Sequence, residues 1–295
     1  MEPLIFKNAD GVFEFSFQEG RRGDFTKEET LIISDWDDTL NITHILVGEY
    51  ARYSSIIEEC PEIPKELQLI FDVVANAVKE FLTEAEKYGR VLIVTNACEG
   101  WVELCCKRFM PSIYQLVTSF TIISARDYYE AQSPSPHVWK QMAFRDILLT
   151  HFLKTPNIRK NIISIGDGTA EQYAMRSLRG SCFDKTNINL ITTKTIRIMG
   201  MVKEGIMASQ LKLLTDSLEK IVLYSLPIDI DIGFDIFVPI KSMPRISTEF
   251  RLAPFEYTTS IKGGLDVEGK KEEEPLCELG MEIFCECKKC GNKWI

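Results

Sequence analysis

The sequence predicts an α/β domain built on a doubly wound, Rossmann-like, mostly parallel sheet. From about residue 30 onward, short apolar runs recur that are continuous rather than alternating, as strands buried on both faces are. Between them, apolar residues recur at spacings of three and four, the period of an amphipathic helix. Strand and helix alternating at this pace make βαβ units, whose strands pair in parallel.

The elements follow in chain order. Residues 1–29 read as an N-terminal β-hairpin lead-in, with Leu4-Ile5-Phe6 and Val12 to Phe17 flanking the turn-forming Asn8-Ala9-Asp10-Gly11. The first buried run is Leu31-Ile32-Ile33. A helix follows, with Leu67, Ile70, Phe71, Val74, Val78, Phe81, Leu82 and Ala85 on one face, ending near Tyr88-Gly89 in a glycine C-cap. Further runs are Val91-Leu92-Ile93-Val94, Phe120-Thr121-Ile122-Ile123 and Ile162-Ile163-Ser164-Ile165. Thr195-Ile196-Arg197-Ile198-Met199 is a fifth candidate, followed by an amphipathic helix through Met207, Leu211, Leu214, Leu218 and Ile221. The α/β domain is placed at 30–240. Gly263-Gly264 and the stretch Gly269 to Pro275 read as exposed linker within a C-terminal extension, 241–295.

Composition narrows the function classes. A chain of 295 residues holds one large domain, or one domain with an appendage. Hydrophobic residues at 45% and charged residues at 26% describe a soluble globular protein. The net charge of −9 argues against a broad face for a phosphate backbone, so nucleic acid is a disfavoured partner. No apolar stretch reaches the roughly 18 residues of a membrane span. Met1-Glu2-Pro3-Leu4 lacks the pattern of a secretory signal, and nine cysteines, an odd number, read as reduced thiols. A cytoplasmic location is expected.

Functional groups of an open parallel sheet gather beyond the carboxyl ends of its strands. The first run ends in Ser34-Asp35-Trp36-Asp37-Asp38-Thr39. Two carboxylates this close divide naturally into a nucleophile held against a cation and a proton carrier, Asp35 and Asp37. An Asp-rich turn, with Asp38 capping the next element, uses the same residues. The second run ends at Thr95-Asn96, a hydroxyl and an amide that suit either a phosphate oxygen or a helix N-cap. Pro136-His137-Val138-Trp139-Lys140 enters a helix, and Lys140 is either a phosphoryl partner or a solvated surface charge, with His137 incidental. The fourth run ends in Gly166-Asp167-Gly168-Thr169-Ala170-Glu171. Glycines there allow close backbone approach to a ligand, and Asp167 with Glu171 supplies hard oxygen ligands for Mg2+; a turn and N-cap explain the string equally.

In this order, these motifs resemble the haloacid dehalogenase (HAD) superfamily of hydrolases over roughly residues 30 to 200. More narrowly they resemble a little-characterised HAD-like group of microbial eukaryotes. The resemblance implies that Asp35 attacks phosphorus to form an aspartyl-phosphate, while Asp37 protonates the leaving oxygen and later activates water. It implies Thr95 and Lys140 as phosphate-binding groups, beside Asn96 from the strand-end reading, and Mg2+ on Asp35, the Asp37 carbonyl and Asp167. Glu171 stands where the family often has a second Asp. An Asp at position 37 marks the phosphatase and phosphotransferase branches rather than dehalogenases.

Residues 41–66 leave room for a minimal cap insert only, and the segment from Thr95 to Lys140 for one helix and one strand. A capless HAD-type site of this kind fits a macromolecular substrate such as a phosphoprotein. The expected function is therefore a Mg2+-dependent phosphomonoesterase, against a phosphotransferase or a non-catalytic HAD-fold binding or scaffold protein. Cys285-Glu286-Cys287-Lys288-Lys289-Cys290-Gly291 has the form of a zinc knuckle that Cys277 would complete, with free thiols as the other reading.

Overall fold

The computed structural model describes residues 22–46, 62–154, 159–180 and 191–232, and the strand segments 4–7, 13–16, 284–287 and 291–294. Strands β1 (Leu4–Lys7) and β2 (Phe13–Ser16) pair antiparallel, Leu4 opposite Ser16, as the lead-in hairpin requires. The main sheet takes β3 (Thr30–Ser34), β4 (Arg90–Thr95), β5 (Thr121–Ser124), β6 (Lys160–Gly166), β7 (Ile191–Arg197) and β8 (Ile228–Asp231). Their order is β5-β4-β3-β6-β7-β8, and every neighbouring pair is parallel. Counted from β3, that is the 3-2-1-4-5-6 order of a doubly wound sheet, with the reversal between β3 and β6.

Side chains alternate across the sheet, and helices cover both faces. Ile32, Val91, Ile93, Ile163 and Ile165 pack into one cluster with α1 (Lys65–Tyr88), α2 (Trp101–Phe109) and α7 (Glu204–Leu223). Leu31, Ile33, Leu92, Val94 and Ile162 pack into the other, with α4 (Ala125–Tyr129), α5 (Pro136–Lys154) and α6 (Thr169–Gly180). Two buried faces explain why the strands read as unbroken apolar runs. Helix α3 (Tyr114–Ser119) lies between α2 and β5. On α1, Leu67, Phe71, Val74, Val78, Phe81, Leu82 and Ala85 are all buried, while Ile70 is partly so. The helix stops at Gly89 as expected, but Gly89 is extended rather than left-handed, and a Cβ there would stand 2.7 Å from Thr30 O.

Several boundaries differ from expectation. β5 starts at Thr121, and β7 starts at Ile191, four residues before the predicted run. Polar Thr192, Thr193 and Lys194 hid its first half, and β8 gave no readable signal. Between Thr95 and Lys140 the chain forms α2, a 3-10 turn (Pro111–Ile113), α3, β5 and α4, more than one helix and one strand. In the cap insert, Thr43–Leu46 is a 3-10 turn, and residues 47–61 lie outside the described residues, as does the linker 263–275. The tail contributes an antiparallel pair, β9 (Phe284–Cys287) and β10 (Gly291–Trp294). Among the described residues, no helix is long and apolar enough to cross a membrane.

Candidate active site

The predicted site residues collect at the carboxyl ends of β3, β4 and β6, at the point where the strand order reverses. Asp35 extends β3 by one step, its N–H donating to Ile165 O at 2.9 Å. The chain then turns sharply around one carbonyl. Trp36 O accepts from the amides of Thr39 (3.3 Å), Leu40 (2.8 Å) and Asn41 (2.9 Å), and the Trp36 and Leu40 side chains anchor the turn in the core. Asp38 sits at φ 52°, a left-handed conformation that costs an L-residue about 1–2 kcal/mol and that Asp tolerates better than most. Its Oδ1 accepts from the His44 amide (3.1 Å) and meets His44 Nδ1 at 2.6 Å, so Asp38 does cap the Thr43–Leu46 turn.

Lys140 is the centre of charge. It is 3% exposed, not a surface lysine, and its Nζ lies 2.7 Å from Asp35 Oδ1 while also bonding Glu171 Oε1. Burial opposes the ammonium charge, but the Asp35 and Glu171 carboxylates outweigh it and raise the Lys140 pKa. Burial pushes Asp35 the other way, well above the usual carboxylate range. Lys140 draws it down, and the charges of Glu171, Asp167 and Asp37 push it further up. The lysine therefore stays protonated, and burial first, then the surplus of carboxylate, burdens Asp35.

Asp37 has a different setting, with neutral donors on both oxygens. Oδ1 accepts from Thr43 Oγ1 (2.6 Å) and Trp101 Nε1 (2.8 Å), and Oδ2 from Thr95 Oγ1 (3.0 Å). Burial raises its pKa, and the bonds from Thr43, Trp101 and Thr95 pull back without cancelling the rise. Thr95 is not the cap of a helix, since α2 begins at Trp101 behind Gly100. Its hydroxyl accepts from Ala97 N at 2.9 Å and donates to Asp37.

Asp167 completes the cluster from β6. Thr39 Oγ1 lies 3.5 Å from its Oδ1, and Arg197 Nε donates to its backbone carbonyl at 2.9 Å. Burial, then the charges of Glu171 and Asp38, push Asp167 up to about 7. The glycines around it serve Glu171 rather than an open approach: a Cβ on Gly166 would stand 2.6 Å from Glu171 Cγ, and one on Gly168 3.1 Å from Glu171 Oε2. That Oε2 is buried without a hydrogen-bond partner.

Among the described residues, no group of three or more His, Cys, Asp or Glu side chains is arranged as a metal cluster. The donor chemistry nonetheless suits Mg2+. Asp35, Asp167 and Glu171 are hard oxygen donors at one locus, one Glu171 oxygen has no partner, and Lys140 supplies too little positive charge for them.

Asn96 stands apart from its expected role. Its Nδ2 donates to Pro136 O at 3.3 Å, tying the end of β4 to the start of α5 rather than offering a donor to the carboxylates. His137 lies exposed against Tyr173, ring centroids 6.0 Å apart. Thr43, Trp101, Arg197 and Gly200 were not foreseen as site residues. Of the zinc candidates, Cys277 and Cys290 lie outside the described residues, as do the side chains of Cys285 and Cys287. A cavity of about 240 Å3 lies between α4, α5 and the sheet, lined by Leu31, Arg90, Leu92 and Thr121 toward the amino ends of the strands. It is remote from the carboxylates and is not the site. Comparison of the chain with protein-family models, curated proteins and solved structures returns no match.

Proposed function

We propose that this chain is a Mg2+-dependent phosphohydrolase acting through an aspartyl-phosphate on Asp35, as in the HAD phosphatases its motifs resemble. The observation that supports this is the unequal setting of two carboxylates two positions apart, Asp35 buried and Asp37 partly buried. Asp35 bonds a lysine, whereas Asp37 is bonded by neutral donors only. Lys140 draws Asp35 toward its anionic, nucleophilic form against the burial that raises its pKa, and Asp37, raised by burial with no cation beside it, is the proton carrier.

In the first step an Asp35 oxygen bonds to phosphorus as the bond from phosphorus to the leaving oxygen breaks, and Asp37 gives that oxygen a proton. In the second, water attacks the aspartyl-phosphate, Asp37 takes the proton that water loses, and the Asp35–phosphorus bond breaks to free phosphate. Lys140 offsets charge on the phosphoryl oxygens. Asp35, the Asp37 carbonyl and Asp167 would hold Mg2+, which when bound reduces the repulsion between the carboxylate and the anionic phosphoryl group. Glu171 keeps Lys140 in place from the far side. The substrate class that suits a minimal cap is a phosphorylated macromolecule such as a phosphoprotein.

Phosphate release from phosphomonoesters and phosphopeptides, with and without Mg2+, tests the reading beside Asp35→Asn. The expected result is Mg2+-dependent release that Asp35→Asn lowers on the order of 10^3-fold or more. Release that persists in Asp35→Asn, or none from any substrate while Mg2+ still binds, would overturn it.

A further inference from the structure

The three donors on Asp37 are not equivalent, and the difference assigns work to its two oxygens. Oδ1 receives two hydrogen bonds, from Thr43 and Trp101, and Oδ2 receives one, from Thr95. A carboxylate oxygen has two lone-pair directions, so Oδ1 is filled and Oδ2 keeps one free. Each donor also has a fixed sense. Thr43 Oγ1 accepts from Asn41 Nδ2 at 2.8 Å, and Thr95 Oγ1 accepts from Ala97 N at 2.9 Å, which turns each hydroxyl hydrogen toward Asp37. The indole N–H of Trp101 needs no such help, because it donates and cannot accept.

We propose that Trp101, with Thr43, is a positioning residue that locks the Asp37 carboxyl in one rotamer and leaves Oδ2 to carry the transferred proton. This rests on the phosphohydrolase reading and deepens it. Trp101 and Thr43 are both buried, and they come from separate elements, the first residues of α2 and of the 3-10 turn after Asp37. Neither touches the phosphoryl group in this role; they act through Asp37. Rotation of the carboxyl would strand the buried indole N–H of Trp101 without an acceptor. The proton is thus held on the oxygen beside Thr95, and general-acid geometry does not have to be found anew in each turnover.

Trp101→Phe removes the N–H and keeps an aromatic ring, and Thr43→Val removes the other donor with little change in size. The readout is kcat/KM, which reports transfer up to the first irreversible step, on an alkyl phosphate and on 2,4-dinitrophenyl phosphate. The alkoxide leaving group needs a proton, whereas dinitrophenolate departs without one. Each variant is expected to lose about 10- to 100-fold on the alkyl phosphate and less than about threefold on the dinitrophenyl ester. Equal losses on both substrates, or no loss on either, would overturn the positioning role while wild-type activity upholds the hydrolase reading. Wild-type protein that releases phosphate neither from these two esters nor from phosphopeptides sinks both. Circular dichroism melts identify a variant that fails to fold, and Thr43→Val decides the matter if Trp101→Phe is that variant.

Discussion

At the scale of single residues, the site is shaped as much by missing atoms as by functional groups. Gly200, just past β7, faces the Asp167 carboxylate so closely that a Cβ there would collide with Asp167 Oδ2. Gly200→Ala must therefore turn the Asp167 side chain, while the surrounding core stays as it is. The expected outcome is an increase of about 10-fold or more in the Mg2+ concentration for half-maximal activity, with a matching loss in calorimetric Mg2+ affinity of the metal-free protein. An unchanged affinity would mean that Asp167 does not hold the ion. Asp35, Asp37, Thr95, Asp167 and Glu171 were legible in the sequence because each sits in a short string at or just after a strand end, and Lys140, inside α5, only through the resemblance. Gly200 and Thr43 were not, because what they touch is decided by the fold. Trp101 lies 64 residues from the carboxylate it bonds, and no local pattern encodes that. The bond of the Asn96 amide was not readable for the same reason: its acceptor is a carbonyl 40 residues away.

At the scale of elements, helices and inner strands were readable, and the far edge of the sheet was not. α1 and α7 declare themselves by a periodic apolar face, and β3, β4 and β6 by unbroken apolar runs. β7 is disguised by Lys194, which is fully buried mid-strand. Its Nζ donates to Val222 O at the end of α7 (2.7 Å) and lies 4.9 Å from the Phe25 ring centre. α7 crosses from β7 to β8 on the face that α1 occupies, not the face of α6, so this crossover has the opposite hand to β6-α6-β7. That placement is rare and covers the half of the sheet that α1 leaves bare. Burial lowers the Lys194 pKa to about 6, from 10.5. Between those values the unfolded chain carries a proton the fold lacks, so this group makes stability rise with pH across that window. Lys194→Met is expected to stabilise the protein by on the order of 2 kcal/mol at pH 7 and to flatten that rise, read from urea melts at several pH values. A destabilised variant would show that the bond to Val222 outweighs the burial of the amine.

Over the whole molecule, the doubly wound topology brings acidic strand ends together before anything is bound to them. Asp35 and Glu171 are buried with Lys140, and the partly buried Asp37 and Asp167 lie beside them, in a chain already at −9. Asp167 shows how that excess acts on stability. Its folded pKa of about 7 is above the ordinary 3.8, so between those values the fold holds a proton that the unfolded chain has lost. The resulting stability is complete below pH 3.8 and disappears as pH rises through about 7. A divalent cation can take the place of that proton. Metal-free protein should therefore melt at a lower temperature at pH 8 than at pH 5, and Mg2+ should restore more at pH 8. At 100 times its Kd the ion adds about 2.7 kcal/mol, roughly 5 °C for a chain this long. In Asp167→Asn the metal-free decline should be shallower and the Mg2+ response largely gone. An equal Mg2+ shift at both pH values, or one that survives Asp167→Asn, would place the ion elsewhere and leave the clustered carboxylates to be neutralised by protons alone.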